Sequence, residues 1–204
     1  MADMLTSVEQ LEQIYGKPHE RSLRKEIRYL NEDYRAFVAA SPLVVLASAG
    51  PDGMDCSPRG DTPGFVRIID ERTLAIPDRP GNNRIDNLRN IVVDGRVSLL
   101  FLVPGVVETL RVNGRAAVSD DAALLESLAV DGTRPRTAIV VSVDAVYFHG
   151  SRALARSQLW DPARHVERSQ LPSTGEMHER LRGGDPDAQA CDREQVERTQ
   201  GIPC

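Results

Sequence analysis

The feature that most constrains this chain is a change in the period of its apolar residues at Pro42. Before it, Leu23, Ile27, Leu30, Tyr34, Phe37 and Val38 recur at alternating steps of four and three, which lays one apolar stripe along a helix that Pro42 stops. After it, apolar residues come in short runs separated by turn residues, the pattern of strands. LVVLASA (43–49) leads through GPDG into MDCSPRG, a first hairpin. FVRII (65–69), a DER turn and TLAIP (73–77) form a second; RVSLLFLV (96–103), a Pro-Gly turn and ETLRVNGRAAVS (108–119) form a third. TAIVVSVDAVYFH (137–149) is the last long strand. Helices fall between the hairpins: RIDNLRNI (84–91), with Ile85, Leu88 and Ile91 on one face, and a short one capped by Asp120 and running through Leu128. Six or seven strands joined by tight turns describe a mainly β (α+β) antiparallel barrel with peripheral helices, not a βαβ plan.

The flanks read differently. Thr6 to Glu9 matches a capping box for a helix carrying Val8, Leu11 and Ile14, which Gly16 and Pro18 end. SRALARSQLWDP reads as a helix stopping at Pro162, and Ser173 to Glu176 as a second capping box opening a helix through Leu181. From Gly183 onward large aliphatic residues are almost absent, too few to offset the entropy of ordering the segment. The expected organisation is an N-terminal helical extension (1–19), a barrel domain (20–160), a C-terminal helical segment (161–182) and a flexible tail (183–204).

Charge and composition narrow the partners. A net charge of -5 argues against general nucleic-acid binding, which needs a basic face. No apolar run of about 18 residues exists, and MADMLTSVEQ has neither a basic nor an apolar leader region, so a cytoplasmic protein without membrane contact is expected. Cys56, Cys191 and Cys204 form no CxxC and read as free thiols. His19, His165 and His178 share no ligand spacing, and no metal site is expected.

One stretch carries chemistry. In DRPGNNRIDNLRNI (78–91) a strand ends, a loop rich in glycine and asparagine follows, and a helix begins near Arg84. Unpaired N–H groups and the positive end of a helix dipole converge on such a loop, and Arg79, Arg84 and Arg89 add full charges. Composition and placement suit a phosphate; the same residues also suit an ordinary turn followed by a solvated helix face.

The order from SPRGDTPGFVRIIDERTLAIPDRPGNNRIDNLRNI through VSLLFLVPGVVETLRVNGRAAV resembles the pyridoxamine 5'-phosphate oxidase-like, FMN-binding split-barrel superfamily, and within it a subgroup of flavin-nucleotide-binding proteins. The resemblance covers roughly residues 20 to 160. It implies a split barrel, FMN as cofactor, a homodimer whose interface completes the flavin site, and an FMN-dependent oxidoreductase acting on a small molecule, with NAD(P)H as a candidate electron donor. Carried over by position, it implies backbone contacts from Phe65 and Val66, a cationic donor at Arg67, Pro77 and Asp78 beside the ring or ribityl chain, Gly81, Asn83 and Arg84 on the phosphate loop, and Thr109 near the cofactor. Where the oxidases place two adjacent basic residues, this chain has Asn83 and Arg84, and Arg79 is the candidate replacement for the lost charge. The last strand continues as VYFHGSRALARSQLW, without the oxidases' substrate-gripping run, so vitamin B6 oxidation is not expected. A flavin-sequestering protein without turnover is the alternative; so is a related barrel binding haem or a deazaflavin.

Other residues have two readings each. His149 and Arg152 could hold an anionic substrate or lie on the surface; Trp160 could shield the flavin or, as lone tryptophans more often do, anchor packing. Arg59 and Asp61 in SPRGD read as a local ion pair, with the cofactor edge as the other possibility.

Overall fold

The computed structural model describes residues 4–182. The chain divides after Trp160 into two compact units. The first contains a seven-stranded sheet in the order β2-β1-β5-β6-β7-β4-β3. These are β1 (Leu43–Gly50), β2 (Gly53–Gly60), β3 (Arg67–Ile68), β4 (Thr73–Asp78), β5 (Arg96–Leu102), β6 (Thr109–Ser119) and β7 (Thr137–His149). Every pairing is antiparallel. The sheet is not closed, and this is the split barrel that the turns and the resemblance imply.

Strand alternation builds the core. Val44 and Leu46 of β1, Val97, Leu99 and Phe101 of β5, and Leu110 and Val112 of β6 point inward and are buried. At the split, side chains join strands that share no backbone bonds. Arg59 at the end of β2 reaches Asp78 at the end of β4 (3.5 Å), and Asp61 accepts a hydrogen bond from Arg79 Nε (2.9 Å). Arg59 and Asp61 therefore do not pair with each other as expected; each finds its partner on the far side of the seam.

The helix expected across 23–38 is broken in two, α1 (Val8–Tyr15) being followed by α2 (Glu20–Arg24) and α3 (Glu32–Ala40). Between them Ile27 leaves the helical path and exchanges two backbone hydrogen bonds with Val146 of β7, at 3.0 and 2.7 Å. Tertiary bonds replace helical ones, a β-branched residue meets the sheet, and Asn31 restarts the helix by accepting from the Tyr34 N–H. Leu23 is left exposed while Leu30, Tyr34 and Val38 are buried. Smaller shifts follow the same logic of caps. Ser7 and Gln10, not Thr6 and Glu9, form the first capping box, and Asp121, not Asp120, caps α5 (Ala122–Ser127). FVRII shortens to the two residues of β3 because Phe65 and Val66 turn into the core before the strand begins.

The helix that matters for the site is α4 (Asp86–Val93). Its Asn87 is buried and donates to Ser48 Oγ of β1 at 2.8 Å, and Asn90 donates to the same oxygen at 3.2 Å. Ile91 packs in the core, whereas Ile85 precedes the helix and is exposed, so the expected apolar face loses its first member. This clamp fixes where the loop from β4 must end.

Beyond β7, α6 (Arg152–Ser157) ends at Gln158 in a left-handed conformation, four residues short of the expected stop at Pro162. In the second unit the Ser173–Glu176 capping box forms as expected and opens α7 (Thr174–Arg182). The tail expected over 183–204, with Cys191 and Cys204, lies outside the described residues. Among the described residues, no helix is long and apolar enough to cross a membrane.

Candidate phosphate-binding cleft

Strand β4 delivers Asp78 to the sheet end, and the chain then passes through 79–85 before α4 begins. Asn82 Oδ1 accepts from the Arg84 N–H (2.9 Å), which tightens the loop from within. Asn83 adopts φ 57°, the left-handed region that asparagine tolerates better than most residues. The Arg84 side chain is largely exposed, and its Nε donates to Asp86 at 2.5 Å. That bond raises the guanidinium's pKa beyond its ordinary value, so Arg84 is a fixed positive charge.

The loop is one wall of a cleft of about 210 Å³. Arg59 and Asp78 form a second wall, Arg136 and Thr137 a third, and Leu88 of α4 lies against it. Thr137 is brought there by register: it stands opposite Asp78 where β7 pairs with β4. Arg136 precedes it and donates from a terminal guanidinium nitrogen to Asn83 Oδ1 at 3.0 Å, tying the loop to the start of β7. Two residues of the lining each carry a polar atom, Arg59 Nε and Thr137 Oγ1, that is buried without a hydrogen-bond partner among the described residues. Burying such atoms unpaired costs about 1 to 3 kcal/mol each, and guanidinium and hydroxyl groups are both donors of the kind that pair with an anion. The donor set therefore fits a phosphate.

The expected site residues separate into three groups. Asp78, Arg79, Gly81, Asn83 and Arg84 line the cleft, with Pro77 buried just behind, paired with Ala138. Arg79 is not the free replacement charge anticipated for the loop, since its Nε donates to Asp61 and a terminal nitrogen donates to the Leu128 carbonyl. Phe65 and Val66 are core residues, and Arg67 donates to the Ser127 carbonyl at the end of α5 (3.2 Å), lining a separate hollow of about 110 Å³. The third group lies at the other end of β7. Thr109 is buried there opposite His149. His149 and Arg152 are exposed, and the Trp160 indole N–H donates to the Val106 carbonyl (2.8 Å), the anchoring role. From Thr137 to His149 the strand covers roughly 40 Å at ~3.3 Å per residue, so one chain does not bring the two groups together.

Nothing in the local sequence marks Arg136 or Thr137, and the SPRGD spacing pairs Arg59 with Asp61 where the fold pairs it with Asp78. The signal for Thr137 lies in a pairing, since a β4–β7 ladder that sets TLAIPD against TAIVVS places Thr137 beside Asp78. Nothing local marks Arg136 as a neighbour of Asn83.

Among solved structures of similar fold, a HupZ variant from Group A Streptococcus has a TM-score of 0.49 and 14% identity, covering 59% of this chain and 99% of that one. A protein related to general stress protein 26, of the pyridoxinephosphate oxidase family, from Clostridium acetobutylicum has a TM-score of 0.44 and 16% identity, over 57% and 85% of the two chains. An FMN-binding protein from Syntrophomonas wolfei has a TM-score of 0.43 and 12% identity, over 70% and 92%. Comparison with curated proteins gives no match. The family model for pyridoxamine 5'-phosphate oxidase matches residues 30–150, more than half of the sequence, and the chain belongs to that family.

Proposed function

We propose that this protein binds FMN, with the flavin's phosphate in the arginine-lined cleft, and that it is an FMN-dependent oxidoreductase acting on a small molecule. The observation that carries the reading is the pair of unpartnered buried atoms, Arg59 Nε and Thr137 Oγ1, on walls that also carry Arg84 and Arg136. Family membership supports FMN over other phosphorylated ligands. The bound flavin would supply the redox chemistry. The chain's part is to grip and orient: Asp78 holds a terminal nitrogen of Arg59, which leaves Nε for the phosphate, and the loop N–H groups at the start of α4 add donors.

A cleft of about 210 Å³ is smaller than the ~300 Å³ at which sites for whole cofactors begin. It accommodates the phosphate end and leaves the ring system outside. We infer that a second copy of the chain covers the ring, which makes the working unit a two-fold homodimer. In that arrangement the partner's far end of β7, with His149, Arg152 and Trp160, is the natural source of contacts to the ring or substrate.

Titration with FMN and with riboflavin, beside an absorbance spectrum of the purified protein, tests the reading. FMN is expected to bind at least about tenfold more tightly, the least effect of a charge-assisted hydrogen bond. Equal affinity for the two would refute the phosphate site, and a haem or deazaflavin spectrum would refute the cofactor. Flavin that binds but is neither reduced by NADH or NADPH nor reoxidised by an added acceptor would leave a sequestering protein instead of an oxidoreductase.

A further inference from the structure

The arginines around the cleft are not equivalent. Arg59 is matched by Asp78, Arg79 by Asp61 and Arg84 by Asp86. Arg136 has no carboxylate partner among the described residues; its recorded bond is to the neutral Asn83 side chain. Three of the four positive charges lining the cleft are thus offset locally, and the one without a carboxylate partner among the described residues is that of Arg136.

Its position is also prepared. Pro135 is buried immediately before it, and Thr137 immediately after it is locked into the β4–β7 ladder. Upstream, Val130 and Thr133 pair across a tight turn in which Asp131 and Gly132 have φ of 49° and 75°. The backbone at 136 is held from both sides while the side chain stays exposed. One terminal nitrogen is occupied by Asn83, and a guanidinium has further donors in the same plane with which to meet an anion.

We propose that Arg136 determines the specificity of the cleft for a phosphorylated ligand: it supplies the unmatched charge that a phosphate dianion neutralises, and through Asn83 it holds the left-handed turn of the loop in binding geometry. The inference rests on the reading of the cleft as the FMN phosphate site and adds a residue through which the site prefers FMN to riboflavin. Thr137 Oγ1, buried beside it, is the neutral companion that offers the same phosphate a hydrogen bond.

The test is Arg136→Ala and Arg136→Lys in the full-length chain, each titrated with FMN and with riboflavin at two salt concentrations, with thermal melting of the flavin-free proteins as a control. Arg136→Ala is expected to weaken FMN on the order of ten- to a hundredfold and leave riboflavin unchanged. It should also reduce the salt dependence of FMN binding, with an unaltered melting temperature. Arg136→Lys should recover part of the loss by restoring charge without the planar fork. Asn83→Ala added to Arg136→Ala should cost less than it does alone, because the two act as a unit. If the unmodified protein prefers FMN and Arg136→Ala keeps that preference undiminished, the role of Arg136 is wrong and the phosphate cleft stands. If the unmodified protein shows no preference, the reading of the cleft itself fails. A fall in riboflavin affinity or melting temperature equal to the fall for FMN would assign Arg136 a structural role and overturn the proposal.

Discussion

The two ends of β7 are made of similar residue types and are left in opposite states. At the His149 end, His149 and Arg152 are exposed, while three other hydrogen-bonding or cationic groups find partners within the chain. Trp160 donates to the Val106 carbonyl, Arg111 donates to the Tyr147 hydroxyl and stacks on its ring, and Lys25 lies 4.9 Å from the Phe148 ring centroid. At the Thr137 end, polar capacity exceeds the partners available, with Arg59 Nε and Thr137 Oγ1 unpaired and Arg136 without a counter-charge among the described residues. Unmatched donors in a folded chain are costly unless something binds them. The comparison supports the proposed ligand site at the Thr137 end, and within its own chain the far end is anchored by Trp160, Arg111 and Lys25.

The sharpest way to separate the two ends acts between them. Where β6 pairs with β7 a bulge falls at Asn113/Gly114, and a Cβ built on Gly114 would sit 2.0 Å from the Ser142 carbonyl oxygen. Backbone cannot yield that distance locally, so Gly114→Ala should destabilise by about 3 kcal/mol, the upper part of the overpacking range. For a protein of this size that is a fall in melting temperature of roughly 6 to 12 °C. If the cleft is complete at its own end, the ratio of FMN to riboflavin affinity should survive in the folded fraction. A lost ratio would mean that the bulge sets the geometry of the cleft.

Next in size is Arg84→Ala, which should weaken FMN by about 2 kcal/mol, a charged hydrogen bond's worth, with little effect on riboflavin. Its stability cost should be small because the Arg84 side chain is 79% exposed. The matching change at the other end is His149→Ala. In the proposed homodimer it should weaken both flavins equally, by about 0.5 to 1 kcal/mol, since it would touch the ring and not the phosphate. Light scattering on the same samples decides how to read that result. A dimer indifferent to His149→Ala confines the far end to structure, and a monomer that holds FMN tightly removes the cross-chain arrangement.

Much of this was legible because it is local. Strand β7 runs over TAIVVSVDAVYFH, the segment that reads as the last long strand, and β1 and β2 follow from LVVLASA, GPDG and MDCSPRG. The loop 78–84 announced itself by its own glycine, asparagines and arginines. The failures are all tertiary. Ile27 kept the helical period of its neighbours in the sequence, yet Val146, far along the chain, offered two backbone bonds that outcompeted the helix. Arg59 looked paired with Asp61 two positions away until the seam brought Asp78 and Arg79 between them. Arg136, on which the proposed selectivity rests, was invisible because the β4–β7 register, not the local sequence, brings it within hydrogen-bonding reach of Asn83.

The smallest expected effect uses a pair outside both ends, and it guards the comparison against a trivial explanation. Between α4 and β5, Asp94 accepts from Arg96 Nε at 2.6 Å and from a terminal nitrogen at 2.8 Å. That bidentate contact, with a further bond from the Arg96 backbone N–H, lowers the Asp94 pKa from 3.8 to about 2. A carboxylate with a depressed folded-state pKa contributes stability that is fully present above its unfolded value and is lost as pH falls through the folded one. The contribution should therefore persist above about pH 4 and disappear between there and about pH 2. Because the pair is exposed the effect is slight, and Asp94→Asn should only flatten the acid limb of the melting curve over that window. FMN affinity at neutral pH should not change, since no wall of the cleft includes Asp94 or Arg96. If Asp94→Asn did alter the preference for FMN over riboflavin, selectivity would be travelling through α4 instead of residing in the arginines at the Thr137 end, and the contrast between the two ends of β7 would have to be redrawn around that helix.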